Sequence, residues 1–168
     1  MSDIVKQELV KFGPCRFVGA SVYMENKGKW CNLTDVLWEK SDWIFEILDE
    51  LNEYAIEDVH HNAALTTWDK YDDKNALFGY YIGRFMKAGT PVPHDLDYFD
   101  IDMEYMAKIW VKGKFRDGKY GDLWNCPRYE IDQTKYVDMC HVCAAEVYPK
   151  PDKYGESYIG YYRPCVLR

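Results

Sequence analysis

The chain has 168 residues, with 28 Asp plus Glu against 21 Lys plus Arg, for a formal net charge of −7. A hydrophobic fraction of 48% supplies a sizeable core and excludes global disorder, and no apolar run approaches the ~18 residues of a spanning helix. The acidic balance argues against nucleic acid as the main partner, since phosphate binding needs a basic footprint, and suits cationic or neutral small molecules.

The N-terminus, Met-Ser-Asp-Ile-Val-Lys-Gln-Glu-Leu-Val-Lys-Phe, has no apolar leader-like stretch, so a cytoplasmic protein with no membrane partner is expected. Cys15-Arg-Phe-Val-Gly-Ala-Ser-Val-Tyr-Met24 alternates as a strand, with Val18, Ala20 and Val22 on one face and Gly19, Ser21 and Tyr23 on the other. Gly28 and Asn32 mark a loop. A helix begins near Ser41, whose hydroxyl can cap it. Ile44, Ile47, Leu48, Leu51 and Ala55 recur at helical spacing, and Glu46, Asp49, Glu50 and Glu53 form the wet face.

Residues 65–71 and 77–85 read as a hairpin closed by Asp72-Asp73-Lys74-Asn75. Gly89 to Pro93 breaks the pattern. A second round starts at Tyr98, with a strand from Tyr105 to Lys112 that carries Ala107, Ile109 and Val111 on one face and Lys108 and Trp110 on the other. The stretch from Lys114 to Val137, rich in Gly, Asp and Tyr, reads as a short or irregular helix. Residues 142–148 and 158–164 form a second hairpin.

The order β-α-β-β thus occurs twice, in an α+β domain spanning 1–168, with repeats at 1–88 and 95–168. Tyr81-Ile-Gly83 opens one returning strand and Tyr158-Ile-Gly160 the other, each ten residues after a matching acid-x-Tyr or Asp-Lys-Tyr segment. In this reading the helices cover the small and aliphatic faces, including Cys143, Ala145 and Val147. The uncovered faces then line one antiparallel-sheet groove between the halves, walled by Trp110, Tyr148, Tyr71, Tyr81 and Tyr23. Glu146 stands out, because a carboxylate inside Val142-Cys-Ala-Ala-Glu-Val-Tyr148 is otherwise disfavoured. Rings attract cations through their quadrupoles, and a carboxylate among them can pair with a cation or act as an acid or base.

Six cysteines are scattered along the chain. Cys140-His-Val-Cys143 lacks the second ligand pair that a zinc site needs, so no metal and no cofactor is expected, and core cysteines on a strand are preferred.

Ala107-Lys-Ile-Trp-Val-Lys-Gly113 is similar to the central strand, and Ala145-Glu-Val-Tyr148 with Tyr161-Tyr-Arg-Pro-Cys-Val166 to the closing hairpin, of the GyrI-like small-molecule-binding domains. That family includes the effector-binding halves of AraC- and MerR-type drug-responsive regulators. The resemblance implies a duplicated β-α-β-β fold of the SHS2 type. It also implies a groove for lipophilic, often cationic, aromatic compounds, with Glu146 as the groove glutamate. Some stand-alone relatives are hydrolases that open cyclopropane rings of reactive natural products. The matching catalytic positions here would be Glu146 and Tyr148, with Trp110 stacking on the substrate. Pro127, and Gly160 near a position where relatives often carry an acid, depart from the pattern. The double repeat uses all 168 residues, so the chain is not expected to bind DNA by itself. Nothing in the sequence selects a protein partner.

Overall fold

The computed structural model describes residues 3–25, 33–56, 61–69, 77–112, 132, 134–139, 141–149 and 158–168. Nine strands occur among them: β1 (Asp3–Lys11), β2 (Cys15–Glu25), β3 (Asn62–Thr67), β4 (Leu77–Lys87), β5 (Asp97–Ile101), β6 (Tyr105–Lys112), β7 (Tyr136–Asp138), β8 (Cys143–Tyr148) and β9 (Tyr158–Leu167). Two helices, α1 (Leu33–Glu39) and α2 (Ser41–Asp49), follow β2. The result is an α+β fold. No helix among the described residues is long and apolar enough to cross a membrane.

All strands join one antiparallel sheet in the order β1-β6-β9-β8-β3-β4-β2-β5, and β7 pairs with the far end of β9. Strands β1, β5 and β7 and helix α1 are not anticipated by the sequence pattern. The expected cap also differs. Ser41 is the first residue of α2, Lys40 occupies the cap position, and no side chain bonds there. The chain enters α2 directly from α1, through Lys40 N–H to Leu37 O at 3.1 Å and Ile44 N–H to Lys40 O at 3.1 Å. Part of the segment read as an irregular helix, 136–137, is strand β7; residues 114–131 lie outside the described residues.

The helices pack on one face of the sheet. Ile44, Phe45 and Leu48 of α2 and Leu37 of α1 are buried against Val18, Ala64, Phe78, Tyr80, Ile82 and Met86. Each fully buried aliphatic side chain of this kind contributes about 1.5–3 kcal/mol. Arg84 ties α2 down, with Nη1 2.6 Å from Asp49 Oδ1 and Nε donating to Asn62 Oδ1 at 3.0 Å. The opposite face holds a second core of Phe17, Ala63, Leu65, Tyr81, Phe85, Cys143, Ala145, Val147 and Tyr162. Phe85 stacks on Tyr162 at 5.8 Å although three strand-to-strand steps separate β4 from β9, so the sheet is strongly curved.

Register fixes which residues share a face, because directly paired residues point the same way. One row runs Trp110, Gly160, Val147, Ala63, Gly83, Gly19. The next runs Ile109, Tyr161, Glu146, Ala64, Ile82, Ala20, and is the helix-bearing one. Gly19 and Gly83 face each other closely: a Cβ on Gly83 would lie 1.9 Å from Val18 O, and one on Gly19 would lie 2.0 Å from Ile82 O.

Candidate functional site

Strand β8 and its neighbour β3 form the middle of the sheet, and Glu146 sits on that seam, opposite Ala64 on one side and Tyr161 on the other. Burial along β8 alternates strictly: Cys143, Ala145 and Val147 are buried in the core opposite the helices, while Ala144, Glu146 and Tyr148 are half-buried toward the helix side. A small cavity of about 80 Å³ opens beside Glu146, lined by Thr66, Trp68, Tyr80, Ala144, Tyr161 and Arg163.

The strands place these side chains by simple alternation. Ala64 and Thr66 share a face of β3, and Trp68 continues it, its N–H donating to Val142 O at 3.0 Å. Tyr80 is paired with Thr66 across β3 and β4. Helix α1 supplies Trp38, whose Nε1–H donates to Tyr80 Oη at 3.0 Å and whose ring meets that of Tyr148 edge-on at 5.6 Å. Tyr148 in turn donates its hydroxyl to Glu146 Oε2. Trp38 therefore holds the two tyrosines on either side of the carboxylate. Arg163 lies 3.6 Å from Asp138 through Nη1.

Burial pushes the Glu146 carboxyl above its ordinary range, and the hydrogen bond from Tyr148 pulls it back in part. A neighbouring cation would favour the carboxylate, and apolar surroundings favour the acid. Among the described residues, no cluster of three or more His, Cys, Asp or Glu has metal-binding geometry.

No family model matches the chain, and no curated protein matches it. Solved structures do. SAV2435 bound to tetraphenylphosphonium superimposes with a TM-score of 0.66 at 11% identity, over 98% of this chain and 94% of that one. A putative transcription regulation protein from Staphylococcus aureus MU50 gives 0.62 at 13% identity, over 96% and 98%. An integron cassette protein from Vibrio cholerae gives 0.55 at 12% identity, over 99% of both chains. The chain shares the fold of these structures. At such identities the likeness is one of architecture, near complete over both chains.

Within this fold the sequence-selected residues divide. Glu146 and Tyr148 come together on the helix-bearing face. Trp110 does not join them. It aligns with Gly160 and Val147 in the neighbouring row, points to the opposite face, and meets Tyr162 edge-on at 5.8 Å. Tyr81 and Tyr23 are also on that face. Tyr81 is 2% exposed, its hydroxyl is 2.8 Å from that of Tyr23, and Tyr23 donates to Asp69 Oδ2 at 3.3 Å. Tyr71 lies outside the described residues. The expectation that helices cover Cys143, Ala145 and Val147 is thus corrected. Those small side chains are covered by the aromatic core of the curved sheet, and the helices stand over the other face. Sequence reading missed Trp38, Trp68, Tyr80 and Tyr161. Tyr80 was recoverable, because it lies two residues from Ile82 on the helix-covered row of β4.

Cys15 and Cys143 are buried among the aromatic residues, and burial pushes both thiols up to about 12. They behave as small hydrophobes there. Cys140 lies outside the described residues.

Proposed function

We propose that this protein holds lipophilic, often cationic, aromatic compounds in a groove on the helix-bearing face, with Glu146 at its centre. The observation that carries this reading is the half-buried Glu146 carboxyl between Trp68, Tyr80, Tyr161 and Tyr148 at the β8–β3 seam. Aromatic walls provide apolar contact area and a favourable field for a cation, and the carboxylate supplies the counter-charge. SAV2435, similar over nearly its whole length, is bound to tetraphenylphosphonium, a lipophilic cation.

The cavity of about 80 Å³ is smaller than the several hundred Å³ that a drug-sized guest needs. Entry of such a guest requires the rings of Trp68 and Tyr148 to swing outward. Both are partly exposed.

The reading includes a duplication, β-α-β-β at 1–88 and again at 95–168 within one domain. The sheet order supports it: exchanging β1 with β5, β2 with β6, β3 with β8 and β4 with β9 reverses the order onto itself. The two halves would meet at β8 and β3, which puts Glu146 at the junction.

The test is titration with tetraphenylphosphonium, followed by calorimetry. Wild-type protein should bind it in the micromolar range, and Glu146→Gln should weaken it at least tenfold, roughly the 1.4 kcal/mol that one desolvated charge pair contributes. Absence of binding at roughly 100 μM would overturn the reading.

The hydrogen bond from Tyr148 to a carboxyl displaced upward also fits a general base, so a second reading is hydrolysis of cyclopropane-bearing electrophiles. Glu146 would take a proton from water as the oxygen attacks a ring carbon. The strained C–C bond breaks, and the ring's leaving carbon takes up a proton. Under this reading Glu146→Gln abolishes consumption of such a compound while retaining affinity, the reverse of the binding outcome.

A further inference from the structure

A second and much larger cleft, of about 670 Å³, lies at the other side of α1, between that helix, α2, strand β2 and the connection leading into β5. Its volume is in the range that encloses a drug-sized molecule.

The walls are unusual for exposed helices. Among the described residues, five large hydrophobic side chains are conspicuously exposed, and three of them are here: Leu33 at 46%, Val36 at 45% and Trp43 at 43%. With Lys40 they stand at i, i+3, i+7 and i+10, a single stripe that continues across the junction of α1 and α2. The core-facing side of the same helices is already satisfied by Leu37, Ile44, Phe45 and Leu48. The stripe is therefore a second apolar face, and it looks into the cleft rather than into the core. Apolar groups gathered round a concavity are the usual mark of a binding site.

The facing wall is acidic. Asp97 is held in place by the Ser21 hydroxyl, which donates to Oδ2 at 2.8 Å, and by the Tyr98 N–H, which donates to Oδ1 at 2.8 Å. Asp95 is 3.1 Å from His94 Nδ1. A carboxylate fixed by two donors keeps lone pairs for a third, and Lys40 is the one basic residue lining the opposite side. The whole chain carries −7.

We propose that this cleft is a second small-molecule site, for amphiphilic amines: an apolar body lies along Leu33, Val36 and Trp43, and the protonated nitrogen reaches Asp97. It does not depend on the reading given for Glu146, which occupies a different cavity.

The experiment uses ¹⁵N-labelled full-length protein, with the indole N–H signals of Trp43 and Trp68 assigned through Trp43→Phe and Trp68→Phe. Titration with 1-naphthylmethylamine should move the Trp43 signal to saturation. 1-Naphthoate, of similar body and opposite charge, should leave it in place. Val36→Lys sits at an exposed helical position and should raise the midpoint at least about tenfold; Asp97→Asn, which keeps an acceptor for Ser21, should raise it severalfold. Glu146→Gln should leave it unchanged. A motionless Trp43 signal, an equal response to naphthoate, or an unchanged midpoint in both Val36→Lys and Asp97→Asn overturns the proposal. Movement of Trp68 alone, abolished by Glu146→Gln, overturns it too and leaves the Glu146 reading standing. A Trp43 response beside a Trp68 signal that no cation moves does the opposite.

Discussion

Gly160 sets the position of Trp110, and Gly160→Ala tests the assignment of the two faces. A Cβ at residue 160 would stand 2.8 Å from Trp110 Cζ3, 3.0 Å from Trp110 Cη2 and 3.0 Å from Tyr162 Cε1. Ordinary contact begins near 3.4 Å, so the indole has to give by about 0.6 Å (3.4 less 2.8). The neighbours that obstruct are ring edges, not backbone, so they yield by small rotations. Overpacking of this sort costs about 1–3 kcal/mol, and the smaller backbone freedom of unfolded alanine returns up to ~1 kcal/mol. A net loss of about 1–2 kcal/mol is expected, measured by urea unfolding followed by far-ultraviolet dichroism. The indole N–H signal of Trp110 should shift while that of Trp68, across the sheet, stays put. A variant as stable as wild type, or one that perturbs Trp68 and leaves Trp110 alone, would refute the placement of Trp110 on the face opposite Glu146.

Other outcomes follow from single features of the structure. Gly83→Ala should cost more than Gly160→Ala, about 3–5 kcal/mol, because the added carbon meets Val18 O at 1.9 Å and backbone cannot rotate aside; equal midpoints in urea would contradict this. Since burial raises the Glu146 pKa, the native state keeps a proton that the unfolded state releases, and wild-type stability should fall as pH rises from the ordinary glutamate value through the raised one. Glu146→Gln should therefore gain on wild type as pH rises above the ordinary glutamate value, and unfolding curves that show the reverse would reject the sign. Tyr148→Phe removes the bond that opposes burial, so the Glu146 carboxyl should titrate at higher pH still, read from its side-chain carbon shift. Cys15 and Cys143, with thiols held near 12, should resist a disulfide reagent at pH 8 in the native protein and react once it is unfolded, as peptide mapping would report.

Much of the fold was legible because the strands are long and strongly patterned. The strand read at Tyr105–Lys112 matches β6 end for end, and Ile44 and Leu48 of α2 are buried as their spacing requires. The elements that escaped are those whose reason for existing is a distant partner. Strand β5, Asp-Tyr-Phe-Asp-Ile, has two acids among five residues, which no propensity would call a strand; pairing with Cys15–Gly19 and the Arg16–Asp100 contact at 2.7 Å make it one. Strand β1 likewise exists as the partner of β6, eight of its residues aligned across the sheet.

The site failed differently, and the reason is register. Within any one strand the two faces were separated correctly: Lys108 with Trp110 on β6, and Ala144, Glu146 and Tyr148 on β8. What sequence could not supply is the phase that joins strands, and a slip of one residue exchanges the faces. β9 links β6 to β8 by setting Gly160 against both Trp110 and Val147, and Tyr161 against both Ile109 and Glu146. On both β6 and β8 each face is apolar enough to be buried, so composition offers no choice between the two phases. Gly160 provides one: only a residue without a side chain leaves room for the Trp110 ring above it, and that contact puts the indole on the row of Val147, one strand-thickness away from the carboxylate it had been grouped with.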